Sequence, residues 1–205
     1  MATTTQSARE RILDAAESLV YVHGFNATTL DAILREAGAS KGAFFHHFDS
    51  KEALGNALVE RYAQRDIELL DETMATAETL TDDPGGQAIA FIRIFEEGMS
   101  DVGTLQPGCL FVSFVYERGP GVRPDDDAIV RSIAAWRDRL LVKLEQAAPD
   151  HPRLQEVDLP SLADQVFTIF EGGFVLARAT NDWSHLGRQL GHLRHYLELL
   201  LDEDG

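Results

Sequence analysis

Apolar residues recur along this chain at helical spacing, and the pattern predicts one helix after another. Ile12, Ala15, Ala16, Leu19 and Val20 form a first stripe. Ser7, with Glu10 three residues on, has the spacing of a capping box at its start, and Gly24 ends it. Leu30, Ile33, Leu34 and Ala37 form a second stripe. Thr28 and Thr29 offer it an N-cap, and Gly38 ends it because glycine adopts a left-handed C′ conformation without steric penalty. Ser40 caps a third short helix over 40–47. Phe44 and Phe48 share its inner face, whereas Lys41 and Phe45 lie on another, flanked by Gly42 and His46. Asp49 or Ser50 then opens a long helix carrying Leu54, Leu58, Tyr62, Ile67, Leu70 and Met74, with Glu52 in its first turn where the helix dipole favours negative charge.

The remainder reads the same way. The stretch 79–86 is a linker with Pro84, Gly85 and Gly86 as breakers. A largely buried helix follows over 87–100, with Ile89, Phe91, Ile92, Phe95 and Met99. After a loop over 101–108 comes a continuous apolar run, CLFVSFVYERG, which periodicity leaves open between buried strand and helix. Its all-helical setting favours a helix from Pro107 or Gly108 to Arg118. A second loop, 119–127, precedes a helix to Ala148 with Ile129, Ile133, Trp136, Leu140, Leu141 and Leu144, ended by Pro149 and Pro152. Two long helices, 159–180 and 184–201, close the chain. The expected fold is all-α, with no internal repeat or low-complexity segment.

The stretch 28–51 carries the chemistry. Two short helices joined by a glycine-containing turn are a helix-turn-helix signature, whose second helix is free to enter a DNA groove. Gly42 costs about 1 kcal/mol of helix propensity against alanine. That cost makes sense where a phosphate must approach the backbone, or where the first helix would be crowded. The segment SKGAFFHHFDSKEAL resembles the recognition segment of the TetR family of bacterial transcriptional regulators, S-x-G-x-x-Y-x-H-F-x-x-K-x-x-L. Ser40, Gly42, His47, Phe48, Lys51 and Leu54 match, and Phe45 replaces the tyrosine, removing a hydroxyl that could bond a phosphate. Ile12, Ala15, Gly24, Thr28, Thr29, Ile33, Ala37 and Gly38 also stand where the family expects them. The resemblance implies a three-helix DNA-binding head, 1–52, on a helical ligand-binding and dimerisation body, 53–205. It implies that Lys41, Gly42, Phe45 and His46 face the major groove of operator DNA, beside the cap Ser40. Thr28, Thr29, His47 and Lys51 would hold phosphates, contacts that set register without reading sequence. Arg9 and Arg11 are further phosphate candidates.

Composition narrows the picture. The net charge of −16 argues against nucleic-acid binding over the whole surface. The acidity is uneven: up to Glu52 the balance is −2, and beyond it −14. A small reading head on an acidic body that DNA repels fits that asymmetry. The single cysteine, Cys109, excludes an internal disulfide framework and a multi-cysteine zinc site. No apolar run is long enough to span a membrane, and MATTTQSARE lacks the apolar core of a signal peptide, so a cytoplasmic protein is expected.

The body offers further candidates. Gly172 and Gly173 in mid-helix suggest a close helix–helix approach. With Phe170, Phe174, Leu190, Leu193 and Leu197 they are the expected homodimer surface, since family members pair their last two helices in a four-helix bundle. The alternative for these residues is an intramolecular core. An apolar pocket for an unknown small-molecule effector is expected from Phe91, Phe95, Met99, Phe111, Phe114, Trp136, Phe167 and Phe170. Cys109, Ser113, Tyr116, Glu117, Thr168 and Glu171 supply polar groups. Each aromatic also reads as ordinary core. Cys109, near a helix start, is either a reactive thiol or a small buried hydrophobe. His192, His195 and Glu198 stand at metal-ligand spacing, which keeps open a helical metal protein or enzyme. No matching ligands stand out elsewhere, and neither a metal nor a cofactor is expected. An interaction module without DNA binding is a third reading. The preferred function is a ligand-released transcriptional repressor, not an enzyme.

Overall fold

Short polar residues at the predicted positions start the helices of the computed structural model, which describes residues 6–100, 108–117 and 127–202. Ser7 Oγ accepts from Glu10 N at 3.2 Å and opens α1 (Ala8–His23). Thr29 Oγ1 accepts from Ala32 N at 3.2 Å and opens α2 (Leu30–Glu36). Ser40 Oγ accepts from Ala43 N at 3.1 Å and opens α3 (Lys41–His47). Ser50 Oγ does the same for Ala53 N at 3.1 Å, at the head of α4 (Lys51–Leu80). Each bond satisfies one of the free donors of a first turn. Gly24 at φ 80° and Gly38 at φ 57° stop α1 and α2 in the region glycine adopts without strain.

Beyond α4 the chain forms α5 (Pro84–Ser100), α6 (Leu110–Glu117), α7 (Ala128–Ala147), a short α8 (Pro152–Gln155), α9 (Leu159–Thr180) and α10 (Ser184–Leu201). No strand occurs among the described residues. The run after Cys109 is therefore a helix. Its expected ends at Pro107 and Arg118, and most of the two flanking loops, lie outside the described residues.

One expectation needs correction. Pro84, Gly85 and Gly86 do not break the chain; they are the first turn of α5. Proline is favoured at a first helical position, where its missing N–H would be unsatisfied anyway. Asp83 Oδ2 accepts from Gly86 N at 2.6 Å and caps that turn. A Cβ on Gly85 would stand 2.8 Å from the Leu201 side chain, so close packing explains a glycine there.

The chain divides into two compact units, Met1–Ala63 with Cys109–Ile129, and Gln64–Gly108 with Val130–Gly205. This differs from a boundary at residue 52 in two ways. α4 stays with the first unit as far as Ala63, and α6 joins that unit although the chain reaches it only after α5. The first unit buries Ile12, Leu13, Val20, Ile33, Phe44, Leu54 and Leu58, and α6 contributes the buried Phe111 and Phe114. Arg61 locks α4 to α1 through Asp14 at 2.7 Å, Glu10 at 3.3 Å and the buried Glu17.

The second unit has a larger core, built from α4 residues such as Leu70 and Met74 together with α5, α7, α9 and α10. An aromatic group lies within it: Trp136 is 5.1 Å from Phe95 and 4.9 Å from Phe170 between ring centroids. Ion pairs tie its helices at the surface. Arg137 holds Asp164 with two bonds of 2.7 Å, and Arg194 reaches Glu96 at 2.6 Å.

Candidate nucleic-acid interface

The first unit presents α3 through a division of labour among its aromatics. Phe44 is fully buried and Phe48 nearly so, their rings 5.5 Å apart, and they anchor the helix. Phe45 packs its ring edge-on against Phe44 yet remains 55% exposed. Lys41, Gly42, His46 and His47 are exposed beside it. A large exposed aromatic flanked by a cation and imidazoles is a surface suited to stacking and groove contact. Lys41 pairs with Asp31 of α2 at 3.2 Å, but both side chains are more than two-thirds exposed. Such a pair contributes little, about 0–1 kcal/mol, and can be exchanged for a phosphate or base edge.

Gly42 has no packing reason to be glycine. A Cβ there would meet nothing nearer than Ser40 Oγ at 3.8 Å, so crowding against α2 is not its cause. The backbone at Gly42 is open to an outside group. Thr29 and Ser40 are also exposed, and each hydroxyl accepts a capping bond while keeping its own proton to donate.

Two expected phosphate ligands are placed otherwise. Thr28 is 2% exposed and its hydroxyl donates to Gly24 O at 2.7 Å, so it closes the α1–α2 turn from inside. Lys51 Nζ donates to Phe25 O at 2.7 Å and to Asn26 O at 3.3 Å, and stands 4.5 Å from the Phe25 ring centroid. Its ammonium is committed to the same turn. Arg11 donates to Ala37 O at 3.3 Å and Gln6 O at 3.0 Å, and serves the end of α2. Arg9 pairs with Glu10 at 3.1 Å and lies over the Phe48 ring.

The expected effector residues fall into both units. Cys109, Ser113, Tyr116 and Glu117 belong to the first unit, with Phe111 and Phe114 in its core. Cys109 is half-buried and in no disulfide, and Tyr116 is 84% exposed. Glu117 accepts from Asn26 N at 2.8 Å. Phe91, Phe95 and Trp136 are buried in the second unit's core, with Met99 and Phe167 packed against it. Thr168 is exposed, its hydroxyl on Asp164 O at 3.0 Å, and Glu171 is half-buried.

A residue the sequence did not single out stands beside this core. Asp66 accepts from Trp136 Nε1 at 2.8 Å and from the Ser132 hydroxyl. Burial pushes its carboxyl above the ordinary value of 3.8, more than these two bonds pull it down. The available signal was a carboxylate one position ahead of Ile67 in an apolar line.

The expected dimer residues also need correction. Phe170, Leu190, Leu193 and Leu197 are buried in the core of their own chain. Gly173 makes its close approach inside the chain too, where a Cβ would fall 2.0 Å from Leu186 Cδ1 of α10. Gly172 is exposed with open space around it, and Phe174 is half-buried. The apolar residues left outside on α9 and α10 are Val175, Leu176, Tyr196 and Leu199.

His195 Nδ1 lies 3.5 Å from Glu198, whose carboxylate also takes Arg194 at 2.6 Å. Among the described residues no three His, Cys, Asp or Glu side chains form a metal-holding group. No described helix is long and apolar enough to cross a membrane.

Comparison with known proteins agrees with this geometry. Residues 12–58 match the profile described as bacterial regulatory proteins, tetR family. The chain is 27% identical over 173 residues to the transcriptional regulator AcuR of Cereibacter sphaeroides, covering 83% of this chain and 76% of that one. It is 25% identical over 200 residues to the HTH-type transcriptional repressor NemR of Escherichia coli, covering 95% and 96%. The crystal structure of regulatory protein TetR from Rhodobacter sphaeroides superposes with a TM-score of 0.74 at 25% identity, over 93% of this chain and 99% of that one. The helix-turn-helix of 28–47, its profile match and the likeness along the whole chain lead to one conclusion: this protein belongs to the tetR family of bacterial regulatory proteins and is a DNA-binding transcriptional regulator.

Proposed function

We propose that the protein is a repressor that binds a specific operator as a homodimer and is released by a small molecule bound in its second unit. The observation that carries the DNA reading is the outer face of α3, where Lys41, Gly42, Phe45 and His46 are all exposed. These residues enter the major groove, and Thr29, Ser40 and His47 bond flanking phosphates. Thr28 and Lys51 are left out of the contact set because the α1–α2 turn already uses them. Phe45 offers apolar contact to a thymine methyl or a sugar. With few free cations on this face, specificity depends on these contacts more than on counterion release.

The dimer surface is the outer side of α9 and α10: Gly172, Val175, Leu176, Tyr196 and Leu199. A dimer places two α3 helices on half-sites about 34–36 Å apart. The effector sits among Phe91, Phe95, Trp136 and Phe170, with Asp66 as the polar anchor. It lowers operator affinity only insofar as it binds the two states unequally.

The test is fluorescence anisotropy on DNA upstream of the protein's own gene and on duplexes selected from random sequence, across a salt series. A selected duplex is expected to bind far more tightly than random DNA, and the same complex then serves to screen effectors. Folded dimer that selects no sequence at all would end the DNA reading.

A further inference from the structure

We infer that Glu117 and Lys51 are a positioning pair for operator binding: together they hold the peptide group between Phe25 and Asn26 and so fix how α2 and α3 are presented. The inference rests on the operator reading above. The two side chains grip opposite ends of one peptide group. Lys51 Nζ donates to its carbonyl oxygen, Phe25 O, at 2.7 Å. Glu117 Oε2 accepts from its amide, Asn26 N, at 2.8 Å. A cation at the carbonyl and an anion at the N–H match the dipole of the group. Hydrogen bonds to ionised partners are also roughly twice as strong as neutral ones.

The surroundings are built for this grip. The Phe25 ring lies 4.8 Å from Phe114 of α6 between centroids, and a Cβ on Gly55 of α4 would come within 2.5 Å of it. Gly55 is thus the glycine that lets Phe25 seat between α4 and α6. The restraint continues into α2. Thr28 bonds back to Gly24 O at 2.7 Å, and Thr29 caps α2 through Ala32 N. Glu117 reaches this turn from 91 residues downstream, which makes α6 a working part of the reading unit.

Charge alone and positioning predict opposite signs for loss of Glu117. Removing an anion from a DNA-binding unit should tighten binding to a polyanion. Removing a clamp should weaken it. The experiment uses the full chain and a duplex selected from random sequence, with anisotropy read across a salt series. Glu117→Ala is expected to weaken binding about tenfold, the loss of one charge-assisted bond, without changing the salt slope. Glu117→Gln keeps an acceptor oxygen and should recover most of the affinity. Lys51→Met should weaken binding with the slope unchanged, whereas loss of a direct phosphate contact would flatten it by about 0.9. Hydrogen exchange at Asn26 N–H should accelerate in Glu117→Ala and not in Glu117→Gln.

Glu117→Ala binding as tightly as wild type or more so would overturn the inference, as would a flattened slope for Lys51→Met. Should Glu117→Ala fail to fold, the Gln and Lys51 variants decide on the same criteria. If the wild-type chain selects no duplex, the operator reading fails and the positioning role fails with it. Unaltered Asn26 exchange in a folded Glu117→Ala would instead refute the clamp alone.

Discussion

Gly42 of α3 and Gly173 of α9 are both helical glycines, and they are there for opposite reasons. A Cβ at Gly173 would collide with Leu186 at 2.0 Å, whereas one at Gly42 would meet only Ser40 Oγ at 3.8 Å. The contrast extends to their neighbourhoods. On the inner side of α9 and α10, where Gly173 lies, Phe170, Leu186, Leu190, Leu193 and Leu197 are consumed by their own core. Around Gly42 an aromatic and a lysine are left facing outward. A glycine required by a neighbour inside the chain reports packing. A glycine that nothing inside the chain requires points to a partner outside it.

Substitution should separate the two. Gly173→Ala has the larger expected effect, a loss of about 1–3 kcal/mol, because Leu186 must leave its place in a packed core. Both tryptophans, Trp136 and Trp183, belong to the second unit, so tryptophan emission during denaturation reads that unit directly. A lowered midpoint is expected there; an unchanged one would mean that α9 and α10 separate easily. Gly42→Ala should do the reverse. It adds helix propensity, about 0.5–1 kcal/mol of stability, at an exposed position with room for the methyl. Operator affinity should nevertheless fall, as measured by anisotropy, since the methyl stands where the DNA backbone would approach. Unimpaired binding by a stabilised variant would make Gly42 as ordinary as any surface residue.

The smallest effect concerns pH. Burial raises the Asp66 carboxyl above 3.8 in the folded chain, so the folded state holds a proton that the unfolded state has released. Stability from this group is therefore present at acid pH and is lost as pH rises from 3.8 through the higher folded value. Asp66→Asn lacks this loss and keeps an acceptor for Trp136 and Ser132. Its melting temperature relative to wild type should rise across that window and then level off. A relative fall instead would show that the charged bonds to Trp136 and Ser132 outweigh the cost of burial.

Legibility followed sequence distance. Caps and stops were readable because they act within three or four residues: Ser7, Thr29, Ser40 and Ser50 each bond a backbone amide three positions on. The same local logic exposed the reading face of α3, where Phe44 and Phe48 share one side and Lys41 and Phe45 another. It failed at Pro84 because proline both ends helices and begins them, and the choice depended on Asp83 capping and on Leu201 lying across Gly85.

By itself, then, the chain determined an all-helical protein, the boundaries of most helices and a helix-turn-helix with its outward side chains. Those features follow from backbone geometry and a 3.6-residue period. Only the tertiary structure decided what the polar residues do. Lys51 closes on a turn 25 and 26 residues away, Glu117 on one 91 residues away, and Asp66 on Ser132 across 66. It likewise decided that α6 joins the first unit and that Leu190, Leu193 and Leu197 of α10 face inward. The physical reason is the same in each case. A charged or apolar side chain must find a partner or a core, but its own neighbourhood in the sequence does not say which one.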